Sequence, residues 1–174
     1  MSGNKPLPVS LYDLTVPAFL RAFANLSAIL EKGQAFAAAE GRAPESLTEA
    51  RLIADMAPLT AQIQRASDTA KGAVVRLGGL ENPSFPDTEK TFAEMQERIG
   101  KTVAFLKSVD PAALDGKEEA EVVLKAGGTS LTFTGRDYVL NFVLPNFYFH
   151  ITTAYALLRQ QGVPIGKRDY LGPL

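Results

Sequence analysis

The chain has 174 residues, 46% of them hydrophobic and 21% charged, which is enough to bury a substantial core, so one domain spanning 1–174 is expected. A net charge of -1 with no basic block excludes nucleic acid as a partner, because phosphate binding needs a concentrated positive face. The absence of cysteine removes disulfides, thiolate catalysis and Cys-ligated metals.

The opening stretch MSGNKPLPVS lacks the apolar segment of a secretory signal. No run reaches the roughly 20 apolar residues that span a bilayer. A soluble, cytoplasmic protein with no membrane partner is therefore expected. From about residue 10 to 39, Tyr12, Val16, Phe19, Leu20, Phe23, Leu26 and Leu30 recur at helical spacing, and Gly41 and Pro44 interrupt the chain after them. A second helix carries Leu52, Met56, Leu59, Ile63, Ala66, Ala70, Val74 and Leu77. Ser46 with Glu49 reads as its capping box, Pro58 as a kink inside it and Gly78-Gly79 as its end. The third helix takes Asp87 as N-cap and Glu89 in its first turn, then Phe92, Met95, Ile99, Val103 and Leu106, and stops before Asp110-Pro111.

The period then changes from helical to alternating. Val122 and Leu124, a Gly127-Gly128 turn, then Leu131 and Phe133 read as a β-hairpin that packs Leu124, Leu131 and Phe133 as its buried face. Ser130, Thr132 and Thr134 would face water. A last helix runs from about 135 to 161, with Pro145 as a kink or fresh start and Gly162 and Pro164 closing it. The fold class predicted is all-α: a four-helix bundle with a small β-hairpin inserted before the last helix.

Bundles build sites from inward side chains of facing helices, so inward polar residues are the candidates. His150, the only histidine, lies on the apolar stripe of the last helix with Val143, Phe147, Ala154 and Leu157, and Asn146 sits one turn before it. On the second helix Asp55 and Gln62 border the stripe, whereas Asp68 points the opposite way and reads as solvated. His150 is open to three readings: a hydrogen-bonded core residue, a general base near neutral pH, or part of a ligand pocket with Asn146, Asp55 and Gln62. One imidazole does not make a catalytic zinc site, which wants three protein ligands.

Burial of the imidazole requires a partner, because an unsatisfied polar group costs roughly 1–3 kcal/mol. The stretch GVPIGKRDY lacks the spacing, the Ser or Thr and the preceding strand of a P-loop. Glu118, Glu119 and Glu121 form a solvated acidic edge. The last helix is apolar nearly all round, with Tyr148, Phe149, Ile151 and Tyr155 outside the stripe, so a hairpin, the C-terminal tail or a second subunit should cover it; a homodimer is expected.

The segments SLYDLTVPAF, FPDTEKTF and LPNFYFHITTAYALLRQQGVPIGKRDYLG together resemble an uncharacterised branch, a domain-of-unknown-function family, of the DinB/YfiT-like four-helix-bundle superfamily. The resemblance spans nearly the whole chain, and the last segment is its specific part. It implies kinship with metal-dependent thiol S-transferases and isomerases, whose divalent metal is held by a histidine of helix 2 and an H-x-x-x-H pair on helix 4. Laid on this sequence, the second histidine of that pair falls on His150 and the first on Asn146; helix 2 has no histidine, only Asp55 and Gln62. Asn is a poor ligand for zinc or nickel, so neither a cofactor nor a stoichiometric transition metal is expected. The function expected is a small-molecule-binding or stress-associated accessory protein. The alternative is a thiol transferase or isomerase, metal-dependent or working through His150, at the helix 2/helix 4 interface.

Overall fold

A computed structural model of the chain describes residues 9–173; residues 1–8 of the opening stretch lie outside the described residues. Helix α1, Leu11–Ala39, begins with a capping box in which Ser10 and Asp13 satisfy each other's backbone N–H groups. Its length and apolar content would suit a membrane-crossing helix, but Leu11, Val16, Phe19, Phe23, Leu26 and Leu30 form the stripe that it buries in the bundle. The short α2, Glu45–Thr48, a loop over residues 49–58, and α3, Leu59–Gly78, replace the single kinked helix expected there.

The correction comes from Pro58, which has ψ 174° and occupies the N-cap position of α3. A proline has no N–H for a helix ladder and its ring displaces the preceding turn, so the helix starts at the proline. Ser46 does not cap anything; its hydroxyl donates to the Ala43 carbonyl at 2.7 Å.

Helix α4, Phe92–Lys107, is capped by Thr91 and Glu94, four residues beyond the expected Asp87. Asp87 and Glu89 are turned instead onto a buried guanidinium. A 3₁₀ turn, Pro111–Ala113, leads to the hairpin of β1, Glu121–Ala126, and β2, Thr129–Thr134, antiparallel with Val122 opposite Phe133 and Leu124 opposite Leu131. Gly127 and Gly128 have φ of 55° and 80°, the left-handed pair that a two-residue type I′ hairpin turn requires.

The expected buried face of Leu124, Leu131 and Phe133 holds for two of its three residues. Val122 and Leu124 are buried and Phe133 packs on Tyr138 and Phe142, but Leu131 is 46% exposed. The bundle lies against β1, which contacts α3, so the side chain at the same level on the outer strand extends past it.

The last long helix is continuous in direction but not in type: one α-turn α5, Gly135–Asp137, then a π-helical stretch, Tyr138–Val143, then α6, Leu144–Gln160. Pro145 stands at the start of α6, and the wider π turns before it accommodate the hydrogen bond that proline cannot donate. Helix α7, Lys167–Leu171, folds back on α1. The four long helical segments surround one core of Phe19, Phe23, Leu26, Ile63, Ala70, Met95, Val139 and Phe147, all fully or almost fully buried. Within it α3 packs most extensively on α6.

Candidate functional site: a polar seam between α3 and α6

Three residues of α3 spaced by seven, Gln62, Thr69 and Arg76, each meet a polar residue of the last helical segment. Gln62 Oε1 lies 2.8 Å from His150 Nδ1, Asn146 Nδ2 donates to Thr69 Oγ1 at 2.7 Å, and Arg76 Nη1 donates to the Tyr138 hydroxyl at 3.0 Å. Seven residues are nearly two helical turns, so these side chains lie along one edge of α3. The result is a polar seam through an interface otherwise made of Ile63, Ala66, Ala70, Phe147, Ile151 and Ala154.

The donor and acceptor roles follow from the outer ends of the seam. Gln62 Nε2 donates to the Ala57 carbonyl at 3.0 Å, so its Oε1 accepts from His150 and places the imidazole proton on Nδ1. Thr69 gives its own hydroxyl proton to the Arg65 carbonyl at 2.7 Å and is thereby left as an acceptor for Asn146. His150 is 7% exposed, and burial, with the Arg65 charge adding to it, pulls its pKa from 6.5 down to about 4. At neutral pH the ring is uncharged, with Nε2 carrying a lone pair and no hydrogen-bond partner among the described residues.

The structure brings three of the four candidate residues to one interface. Gln62 and His150 are buried and paired with each other, and Asn146 is half-buried one turn away. Asp55 is not part of it: it is exposed in the 49–58 loop, because the helix that would have aimed it inward begins only at Leu59. Met56 and Leu52 of that loop, with Tyr148, Phe149, Thr153 and Ala156 of α6, line a shallow apolar cleft of about 500 Å³. The edge of the Phe149 ring meets the His150 ring at 5.3 Å. None of the five main clefts among the described residues is lined by His150, Asn146, Gln62 or Asp55.

These residues do not fit a divalent metal. His150 Nδ1, both ends of the Gln62 amide and the Asn146 amide nitrogen are spent on hydrogen bonds, which leaves imidazole Nε2 as the one unengaged strong donor atom where three or four are needed.

A second polar constellation lies outside the residues expected from the sequence. Arg98, its side chain 1% exposed, lies 2.9 Å from Asp68, 2.9 Å from Asp87 and 3.1 Å from Glu89, and also donates to the Pro86 carbonyl. Buried Lys71 donates to the Pro83 carbonyl at 2.8 Å and sits 4.5 Å over the Phe85 ring. Burial pushes the Glu89 carboxyl up, but hydrogen bonds from Gln64 and Arg98 and the Arg98 charge outweigh it and hold the group below its ordinary value. Asp68, which reads as merely solvated by its helical angle, is half-exposed and serves both cations. A signal is present: Arg98 lies one turn from Met95 and Thr102 on the buried side of α4, while Asp87 and Glu89 precede that helix without capping it. Together the two cations pin the 80–91 segment to α3 and α4.

Four long helical segments around one core, with a hairpin before the last of them, make a four-helix bundle. The crystal structure of a DinB family member protein from Shewanella denitrificans superposes with a TM-score of 0.85 at 40% sequence identity, covering 94% of this chain and 93% of that one. Residues 11–171 match the family described as a domain of unknown function, DUF1993. The chain belongs to that uncharacterised DinB-like family. No curated protein matches it.

Proposed function

We propose that this protein is a small-molecule-binding member of the DinB-like superfamily rather than an enzyme. Its ligand is a neutral, largely apolar molecule held in the cleft between the 49–58 loop and α6. The observation that carries this reading is the bridge from His150 through Gln62 to the Ala57 carbonyl. It engages His150 Nδ1 and both ends of the Gln62 amide, leaving only the imidazole Nε2 unengaged, and ties the loop bearing Leu52 and Met56 to the helix bearing Phe149 and Ala156. A cleft of about 500 Å³ with apolar walls is of the size that holds a small organic ligand.

The uncharged probe N-phenylnaphthylamine tests it. Saturable fluorescence enhancement is expected, lost in Ala156→Trp, which fills the cleft, and retained in Asp55→Asn. Absence of saturable binding, or binding indifferent to Ala156→Trp, overturns the reading. Consumption of glutathione by an aryl halide that His150→Gln abolishes would install the enzyme in its place.

The homodimer has its own supporting observation, since Phe149, which lines this cleft, and Ile53, next in sequence to the lining residue Leu52, are 54% and 62% exposed. A second copy over these residues would bury them and lid the cleft. Sedimentation should then show a dimer that Phe149→Glu dissociates.

A further inference from the structure

A smaller cleft opens on the opposite edge of α6, where α7 closes against α1. Its walls are Ala18, Arg21, Ala22 and Asn25 of α1, Tyr148 and Ile151 of α6, and Tyr170 and Leu171 of α7, around a volume of about 150 Å³. The wall from α7 is firmly anchored. Arg21 Nη2 donates to the Leu171 carbonyl at 2.8 Å, Asn25 Nδ2 donates to the Tyr170 carbonyl at 3.0 Å, and the Tyr170 hydroxyl lies 2.9 Å from Thr152 Oγ1. Lys32 and Asp169 form an ion pair at 2.5 Å. Gly172, with φ of 71°, runs so close to Asn25 that an added Cβ would collide with the amide at 2.2 Å, so this end of the chain is fitted to α1.

What the cleft offers a ligand is one-sided. Arg21 has no carboxylate within ion-pair distance among the described residues, and no Asp or Glu lines the cleft. Its bond to Leu171 fixes one arm of the guanidinium and leaves the remaining N–H groups to a guest. The Tyr148 hydroxyl, which has no partner among the described residues, adds a second donor. Burial raises its pKa, with the neighbouring Tyr170 adding to this, so it stays a donor at neutral pH. Two donors, one of them cationic, stand over a floor of Ala18, Ala22 and Ile151 side chains.

We propose that this cleft binds a small monocarboxylate, its carboxylate on Arg21 and the Tyr148 hydroxyl and its hydrocarbon part on the Ala18–Ala22–Ile151 floor. A cavity of about 150 Å³ holds a benzene-sized group, so benzoate and short-chain fatty acids are of the right size. A guanidinium fork matches a carboxylate better than a lysine ammonium would. The site shares only Tyr148 with the larger apolar cleft and stands without it.

Benzoate titrated into the full chain, followed by amide NMR and calorimetry, is the test, with benzamide and inorganic phosphate as controls. Benzoate is expected to shift amides around 18–25 and 148–151 saturably, benzamide to bind at least tenfold more weakly, and phosphate not to saturate. Arg21→Gln should weaken benzoate at least tenfold, with Arg21→Lys in between. Ala18→Leu, which fills the floor while leaving every Arg21 hydrogen bond in place, should abolish binding. If Arg21→Gln loosens α7, seen as lost protection of 167–171, Ala18→Leu alone decides. Equal binding of benzamide, saturation by phosphate at the same amides, or benzoate binding unchanged in Ala18→Leu overturns the proposal.

Discussion

Toward α6, helix α3 presents Gln62, Thr69 and Arg76 at seven-residue spacing to His150, Asn146 and Tyr138; toward α4 it presents Asp68 and Lys71 to the buried Arg98. The first interface joins two long helices whose backbones satisfy their own hydrogen bonds, so its side chains chiefly satisfy each other, with Gln62 also donating to the Ala57 carbonyl of the 49–58 loop. The two neutral pairs, Gln62–His150 and Asn146–Thr69, contribute about 1 kcal/mol each, and together with the exposed Arg76 cation on Tyr138 they fix which residue faces which. The second interface holds an irregular segment, 80–91, whose carbonyls at Pro83 and Pro86 have no helix or strand to accept from. Buried cations supply those donors, and carboxylates from the segment itself offset their desolvation. Buried polar residues of this bundle fix helix register toward α6, where Gln62 also holds the 49–58 loop, and anchor the 80–91 segment toward α4.

The comparison breaks most visibly at Arg98. Arg98→Ala leaves Glu89, 11% exposed at its side chain, without its cation, and should cost about 3–5 kcal/mol in urea unfolding. A loss below about 1 kcal/mol would class the cluster with ordinary surface pairs.

On the neutral side, His150→Ala removes a buried ring and orphans the Gln62 carbonyl, for an expected loss of about 2–3 kcal/mol. His150→Gln, which can still donate to that carbonyl, should lose only about 1 kcal/mol. Equal losses would mean that the hydrogen bond contributes nothing.

The seam also predicts a pH dependence that sharpens the contrast. His150 has a folded pKa of about 4 against an ordinary 6.5, so its contribution is complete above 6.5 and is lost as pH falls from 6.5 towards 4. Discounted for partial water access, that is about 1–2 kcal/mol of stability between neutral pH and pH 4.5, absent in His150→Gln. Because the chain has one histidine, a single imidazole resonance reports it, and that resonance should not titrate between pH 8 and pH 5.5. The Glu89 carboxyl shifts downward, so the charged cluster weakens only at lower pH, as that group protonates. The smallest effect is expected at Asp55, exposed in its loop: Asp55→Asn should stay within about 0.5 kcal/mol of wild type.

Much of the seam is legible in the sequence, and Asp55 shows why the rest is not. His150, Asn146 and Gln62 emerge from their angles on a helix, and those angles hold because each residue is helical. The same arithmetic puts Asp55 on turns that Pro58 does not allow to form. Arg98 escapes because a guanidinium beside apolar residues reads as a flank, and its carboxylates come from two different segments.

Four amphipathic stripes, the Gly127-Gly128 turn and the stop chemistry at Gly78-Gly79 and Gly162 are local patterns of period and backbone freedom, so the sequence alone determined the four long helical segments, the hairpin and their order, but not the break before Leu59 or the π turns before Leu144. Which stripe meets which partner is not local. Only the tertiary structure decided that His150 finds Gln62 rather than Asp55, that Leu124 is covered and Leu131 is not, and that Asp68 serves two cations. Those outcomes depend on how far each helix extends and what lies beyond its surface, quantities set by packing between segments distant in the chain.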